Sequence, residues 1–209
     1  ADVITSGNHI WDQKETTEFI KSEKRLLRPE NSLKPVPGDG YGIFKSRNNK
    51  KVAVLNLMAN VFMKKSEDVF ETAKQFIKKI KLKENTDFIV IDVHGETTSE
   101  KMAMAYLFDG KATILIGTHT HVPTSDHTIM EKGTAYQTDV GMCGDYKSVI
   151  GMNRDNSLKK FLKDPSAVKH YPSLGKATIS GIMVVADDKT GLATKVEPIV
   201  VGANLENRI

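Results

Sequence analysis

The chain has 209 residues, of which 39% are hydrophobic and 27% are charged. This balance is too apolar for a disordered protein, and no apolar run approaches the ~20 residues of a membrane span. The single cysteine, Cys143, excludes an intrachain disulfide and a multi-cysteine zinc site, and it favours a cytoplasmic location. A net charge of +4 is weak evidence for nucleic acid, so neither a nucleic-acid nor a membrane partner is expected.

The first residues favour a chain that continues upstream. The sequence begins with Ala1 instead of Met, and Asp2–Thr5 predicts a short strand without the features of a signal peptide. Because terminal residues usually fray, a strand at the very start predicts that a further segment precedes it in the complete protein. The length itself suits one domain over residues 1–209.

Strand and helix patterns then alternate along the chain. Glu15–Lys24 predicts a short polar helix with Phe19 and Ile20 facing inward. The apolar, β-branched run Lys51–Met58 predicts a strand.

The clearest helical spacing lies in Ser66–Leu82, with Ser66 as the predicted N-cap. Asp87–Val93 is an almost continuous apolar run, which is typical of a strand buried on both faces of a sheet. Thr98–Phe108 predicts the next helix, capped by one of its first two residues.

The remainder of the chain is richer in strand patterns. Lys111–Ile116 and Gly133–Val140 predict strands, and Thr178–Asp187 with Leu192–Val201 predicts a hairpin. The chain is therefore expected to be α/β, with an antiparallel β tail.

Polar residues follow three of the predicted strands. Asn8 and His9 come after Asp2–Thr5, and His94 comes after Asp87–Val93. His119 and His121 come after Lys111–Ile116. In open α/β sheets, ligands bind beyond the carboxyl ends of the strands, so these side chains are expected to meet at one edge.

Each of these signals also has an ordinary structural explanation. Gly-Asn-His can be a turn, His94 can be a buried histidine bonded to a carbonyl, and a His-x-His pair alone often has no ligand. The joint placement favours a site, because imidazole and amide groups together suit a divalent ion such as Zn, Mn or Fe.

Six ordered segments resemble the calcineurin-like metallophosphoesterase superfamily, and within it the bacterial YmdB-like branch. They are ADVITSGNHIWD, RLLRPEN, HGETTSEKMAM, GTHTHVPTSD, GTAYQTDVGMCG and SVIGM. The resemblance implies an α/β/β/α sandwich of two sheets flanked by helices. It also implies metal-dependent hydrolysis of small cyclic nucleotides, either 2′,3′- or 3′,5′-cyclic.

The resemblance implies a role for each residue of the site. Asn8, His94 and His119 would bind one of two divalent ions, and His121 would bind the other. His9 would not be a ligand; it would protonate the leaving oxygen or stabilise the transition state. The substrate would be a small cyclic nucleotide or another phosphodiester, and a homo-oligomer is compatible with the sequence.

The family pattern is incomplete in this chain. The early Asp and the Glu-Asn motif that complete the two metal shells have no counterpart before Asn8, and Glu30-Asn31 aligns better with a later loop. An upstream segment would restore these ligands, whereas without one the two metals would be only partly bound. Two alternatives remain: another metal-assisted hydrolase, such as a phosphomonoesterase or amidohydrolase, and an inactive protein that serves as a regulatory or interaction module.

Other polar residues near these motifs carry weaker expectations. Asp126 and Asp139 are candidates to orient imidazoles from a second layer around the site. Cys143 fits a glycine-rich turn better than a nucleophile, and His127 and His170 are expected at the surface.

Overall fold

Two sheets and four helices make up the computed structural model, which describes residues 1–208. Ile209, the last residue of the predicted domain, lies outside the described part. The helices are α1 (Lys14–Ser22), α2 (Val69–Lys79), α3 (Thr98–Phe108) and α4 (Arg154–Phe161). The strands are β1 (Tyr41–Lys45), β2 (Lys51–Met58), β3 (Phe88–His94), β4 (Ile114–Thr118), β5 (Thr128–Ile129), β6 (Ala135–Gln137), β7 (Thr178–Ala186) and β8 (Ala193–Gly202). The predicted α/β class is confirmed.

The larger sheet has six strands in the order β1-β2-β3-β4-β6-β5. Strands β2, β3, β4 and β6 run parallel, and β1 and β5 pair antiparallel at the two edges. The register places Met58 beside His94 and His94 beside Thr118. The carboxyl ends of three neighbouring strands therefore meet at one edge, as the sequence predicts.

The smaller sheet is the β7–β8 hairpin, which has antiparallel pairing and a register shift between Val185 and Ala186. Its bounds agree closely with the two strands predicted for the end of the chain.

The hydrophobic core lies between the larger sheet and helices α2 and α3. Leu55 of β2 and Ile91 of β3 are fully buried, as expected for central parallel strands. The rings of Phe76 and Phe108 pack edge to face with centroids 6.5 Å apart, which joins α2 to α3. This core fixes the strands whose ends carry the site.

The N-caps of the two main helices differ from the predicted ones. Asp68 caps α2, because its Oδ1 accepts a hydrogen bond from Glu71 N at 2.8 Å, so Ser66 lies outside the helix. Helix α3 has the predicted bounds, but its N-cap is Thr97 and not Thr98 or Ser99.

Two predictions near the start of the chain are wrong. Asp2–Thr5 forms no strand; it contributes a single parallel bridge between Ile4 and Leu26. In α1, Ile20 is 1% exposed but Phe19 is 55% exposed, because a short helix with one buried stripe cannot turn two consecutive residues inward. Within residues 1–208, no helix has the length and apolar character needed to cross a membrane.

Candidate active site

Three of the predicted site residues contact one another at the carboxyl edge of the larger sheet. His94 ends β3, and its Nε2 lies 2.8 Å from Asn8 Oδ1 and 3.2 Å from His119 Nδ1. Asn8 comes from the turn that follows Gly7, and His119 follows directly on β4. The convergence predicted for these three side chains is present.

A chain of hydrogen bonds sets the orientation of the His94 ring. Both oxygens of the buried Asp92 carboxylate accept hydroxyl hydrogen bonds, from Thr5 Oγ1 at 2.6 Å and from Thr118 Oγ1 at 2.8 Å. Because the Thr118 hydroxyl proton is committed to Asp92, its oxygen accepts from His94 Nδ1–H at 3.0 Å. The other ring nitrogen of His94, Nε2, is left without a proton.

The same reasoning applies to His119. Its Nε2 lies 3.0 Å from Glu96 Oε2, so the Nε2–H donates to this carboxylate and Nδ1 carries a lone pair. Asn8 Oδ1, His94 Nε2 and His119 Nδ1 therefore face one another as three lone-pair donors. Such an arrangement is satisfied by a cation at their centre.

Burial keeps both imidazoles in the neutral form that a metal ligand requires. Desolvation is the main cause that lowers the pKa of His94 to about 4, and the charge of His119 adds to this effect. Desolvation also lowers the pKa of His119, and it outweighs the opposing effect of Glu96.

Gly7 is required by the close approach of His94. A Cβ at this position would lie 2.1 Å from His94 Nε2, well inside contact distance. Only glycine lets the turn before Asn8 pass over the imidazole ring.

His121 forms no hydrogen bond with these three side chains. Its Nδ1 lies 2.7 Å from the Ile150 carbonyl oxygen, so Nδ1–H donates there and Nε2 is left with a lone pair. Burial is the main cause of the lowered pKa of both His94 and His119, and the charge of His121 makes a smaller contribution to each. Both loop histidines have left-handed backbone angles, with φ of 108° at His119 and 67° at His121.

A buried ion pair holds the loop between the two histidines. Lys101 Nζ lies 3.0 Å from Asp139 Oδ2, and their side chains are 0% and 1% exposed. The Asp139 carboxylate also accepts from Thr120 N at 3.0 Å and from Gly141 N at 2.9 Å. This carboxylate therefore supports the loop through its backbone.

Neither aspartate expected to orient an imidazole does so. Asp139 bonds to Lys101 and to backbone amides, and Asp126 bonds to Thr138 N at 3.2 Å and to Thr138 Oγ1. Asp92 and Glu96 orient the imidazoles instead. Asp92 acts on His94 through the Thr118 hydroxyl, and Glu96 contacts His119 directly. Asp92 could have been found in the sequence, because residues two apart in a strand share a face and Asp92 precedes His94 by two.

His9 points away from this cluster. Its side chain is 73% exposed, and its Nδ1 lies 2.6 Å from Asp12 Oδ2. This hydrogen bond is the main cause of the lowered pKa of Asp12. Lys64 Nζ donates to the Asn8 carbonyl oxygen at 2.6 Å and lies 3.5 Å from Asp12 Oδ1.

Three other residues weighed in the sequence have structural explanations. Asn31 is buried and its amide donates to the Met58 carbonyl oxygen at 2.7 Å, while Glu30 lies 3.4 Å from Arg28. Cys143 is exposed in its turn, with Sγ 3.6 Å from the Ser180 carbonyl oxygen.

The donor set fits a divalent cation by its chemistry. Within residues 1–208, no three histidine, cysteine, aspartate or glutamate side chains form a group that could hold a metal ion. The donors that do converge are two imidazole nitrogens and one amide oxygen, a combination that suits Zn, Mn or Fe.

Residues 1–199 match the family described as YmdB-like protein. The chain belongs to the YmdB-like family. A curated relative from Bacillus subtilis (strain 168), named 2′,3′-cyclic-nucleotide 2′-phosphodiesterase, is 43% identical over 201 residues, which are 96% of this chain and 75% of the relative.

Two crystal structures share the fold. A hypothetical protein from Thermus thermophilus superposes with a TM-score of 0.88 at 35% identity, covering 98% of this chain and 77% of that one. A structure described as a novel phosphatase from Mycoplasma pneumoniae has a TM-score of 0.86 at 36% identity, covering 97% and 72%. The YmdB-like chain is accordingly a hydrolase of the metallophosphoesterase type.

Proposed function

We propose that this chain hydrolyses the cyclic phosphodiester of small cyclic nucleotides, 2′,3′-cyclic in preference to 3′,5′-cyclic, at a binuclear centre of divalent Fe, Mn or Zn. The observation that carries the proposal is the convergence of three metal-ligating atoms, with His94 Nε2 lying 2.8 Å from Asn8 Oδ1 and 3.2 Å from His119 Nδ1. The name of the Bacillus subtilis relative supports the substrate class.

The residues divide into two groups around the ions. Asn8, His94 and His119 would hold one ion, and His121 would contribute its free Nε2 to the other. When bound, divalent ions polarise the phosphoryl oxygens and lower the pKa of a water nucleophile.

His9 would protonate the leaving oxygen. The Asp12 carboxylate engages Nδ1 and leaves Nε2 facing solvent, where it can hold the proton that the departing sugar oxygen needs. The neighbouring Lys64 ammonium adds a positive charge beside Asn8 that attracts an anionic substrate.

Metal content and activity measured together test the proposal. The full-length protein is assayed with adenosine 2′,3′- and 3′,5′-cyclic phosphates and with p-nitrophenyl phosphate. His119→Ala is compared with the exposed His170→Ala as a matched control. We expect His119→Ala to lose bound metal and diesterase activity together, His170→Ala to keep both, and the 2′,3′-cyclic substrate to give the highest kcat/KM.

Three outcomes contradict the proposal. Full diesterase activity in metal-stripped protein would remove the metal centre from it. Metal binding without hydrolysis of any cyclic nucleotide would favour the interaction module, and faster turnover of the monoester would favour a phosphomonoesterase.

A further inference from the structure

Positive charge is concentrated in two stretches of the chain, residues 74–83 and residues 147–176. Three lysines of the first stretch are held in ion pairs with Glu71, Glu84 and Asp87, whereas the second stretch, hereafter the basic segment, has no paired lysine in the described part of the chain. It holds seven lysines and arginines against two aspartates, a net charge of +5, whereas the whole chain has +4. The remaining residues are therefore close to neutral. The cationic residues of the segment are Lys147, Arg154, Lys159, Lys160, Lys163, Lys169 and Lys176.

These charges are free to meet an anion. None of the six lysines forms an ion pair with any side chain among residues 1–208, and Arg154 pairs only with its neighbour Asp155 at 3.0 Å. All but Lys160 are exposed. Unpaired lysines on one short segment repel one another, and a polyanion relieves this repulsion.

The basic segment starts at the active site. Ile150 accepts the hydrogen bond from His121, and the segment folds back on itself through Ser173 N to Gly151 O at 2.8 Å. Helix α4 begins four residues after Ile150, at most about 14 Å of chain away. Its eight residues add about 12 Å, so its lysines lie within about 26 Å of His121.

Exposed apolar side chains stand among these lysines. Phe161 is 79% exposed, Tyr171 is 45% exposed and Leu174 is 94% exposed. Cationic side chains interleaved with aromatic rings are the pattern by which proteins bind single-stranded nucleic acid. A second copy of the chain is disfavoured, because a two-fold contact would bring two segments of like charge together.

We propose that the basic segment binds the 3′ end of an RNA strand and that the 2′,3′-cyclic phosphate at such an end is a substrate of this protein. This inference rests on the proposed function and extends it from mononucleotides to RNA ends. It also revises the expectation of no nucleic-acid partner, because the small net charge concealed its uneven distribution. The contact between Ile150 and His121 favours RNA over an anionic membrane. It joins the segment to a histidine of the proposed metal centre, where the reacting phosphate would bind.

The structure of the proposed substrate indicates which class of reaction produces it. When the 2′-hydroxyl of RNA attacks the adjacent phosphorus, the 5′-oxygen leaves and a 2′,3′-cyclic phosphate remains on the 3′ end. In the step proposed here, a water oxygen forms a new bond to phosphorus and the P–O2′ bond breaks. O2′ then takes a proton, giving a 3′-phosphate and a free 2′-hydroxyl. RNA-cleaving transesterification would thus supply the substrate.

A comparison of short and long substrates tests the inference. The full-length protein is assayed at 50 mM salt with adenosine 2′,3′-cyclic phosphate and with a five-nucleotide RNA ending in the same group. The double variant Lys159→Glu/Lys163→Glu is matched by Lys45→Glu/Lys78→Glu, which makes the same charge change at exposed, unpaired lysines. Lys45 pairs in register with Lys51 at the opposite end of β2 from the site.

We expect kcat/KM of the wild-type protein to be on the order of tenfold higher for the pentanucleotide. Lys159→Glu/Lys163→Glu should abolish this advantage while mononucleotide turnover stays within about twofold, and the control pair should retain it. The slope of log(kcat/KM) against log[salt] for the RNA should become shallower by about 1.4, as for the loss of two phosphate contacts on a single strand.

Equal kcat/KM for the two substrates, or an advantage that survives Lys159→Glu/Lys163→Glu, overturns the inference and leaves the proposed function intact. Binding to phosphatidylglycerol vesicles without an RNA advantage would overturn it in favour of a membrane. If the wild-type protein hydrolyses neither substrate, the proposed function fails. Fluorescence anisotropy with a 3′-phosphorylated pentanucleotide then still decides whether the basic segment binds RNA.

Discussion

Replacing Lys101 by Met removes one charge of the buried pair beneath the histidine loop and keeps most of the side-chain volume. The variant leaves the Asp139 carboxyl group 1% exposed, with only its two amide hydrogen bonds from Thr120 N and Gly141 N. Because the two side chains have similar shape, the change isolates the charge from cavity effects.

The magnitude follows from the burial of the pair. Removing one partner of a buried ion pair costs about 3–5 kcal/mol of unfolding free energy, since the other charge stays behind without compensation. The two amides still stabilise Asp139, so we expect the lower end, about 3 kcal/mol. A chain of this length should lose about 6–12 °C in Tm.

Urea unfolding followed by circular dichroism measures this loss. The midpoint should fall by about 1–1.5 M with an unchanged slope. The matched control is Lys74→Met on α2, whose partner Glu71 lies 2.6 Å away in an exposed pair. That change should alter the unfolding free energy by no more than about 0.5 kcal/mol.

A loss below about 1 kcal/mol for Lys101→Met would refute the reasoning, because the pair would then behave as a surface pair. The second check is Asp139→Asn in the Lys101→Met background. This addition should recover about 1 kcal/mol, since it removes the unpaired charge. A further loss at this step would instead assign the stability to the amide contacts of Asp139.

Three further substitutions test the site. His9→Ala should lower kcat for a cyclic nucleotide by ~10²–10⁴-fold with unchanged metal content, and by less for a nitrophenyl diester, whose leaving group needs no proton; equal metal loss in His9→Ala and His119→Ala would make His9 a ligand. Gly7→Ala should displace the His94 ring, so metal analysis should show a loss while the Tm changes little. Gly117→Ala would place a Cβ 1.8 Å from Thr138 O, far inside contact distance. This overlap should lower the free energy of unfolding by about 1–3 kcal/mol, as measured by urea unfolding.

Strands were predictable from the sequence where both of their faces are buried, because a continuous apolar run then has only one structural interpretation. Lys51–Met58 has the predicted bounds, and Asp87–Val93 is displaced by one residue, because continuous apolar runs need a sheet with both faces covered. Helix ends were less predictable, since Ser66 and Asp68 are both good caps and only tertiary contacts choose between them. Ser66 is engaged by the amides of Asn31 and Asn60, which leaves Asp68 to cap α2.

The histidines of the site were predictable from their positions after strands, but their supporting residues were not. Lys101 lies on α3 and Asp139 after β6, and nothing in their spacing shows that they form a buried pair 38 residues apart. Short β1 and helix α4 were also missed. The apolar residues of α4, such as Phe161, are largely exposed, so its sequence lacks the stripe that marks a packed helix.

The left-handed backbone of the two loop histidines has a consequence for any selection on heat resistance. At φ of 108° and 67°, a residue with a Cβ is disfavoured relative to glycine by about 1–2 kcal/mol. Glycine at 119 or 121 would therefore relax the loop while deleting a donor of the site. A library of variants screened only for survival at high temperature should accumulate glycine at these two positions and, with it, inactive protein.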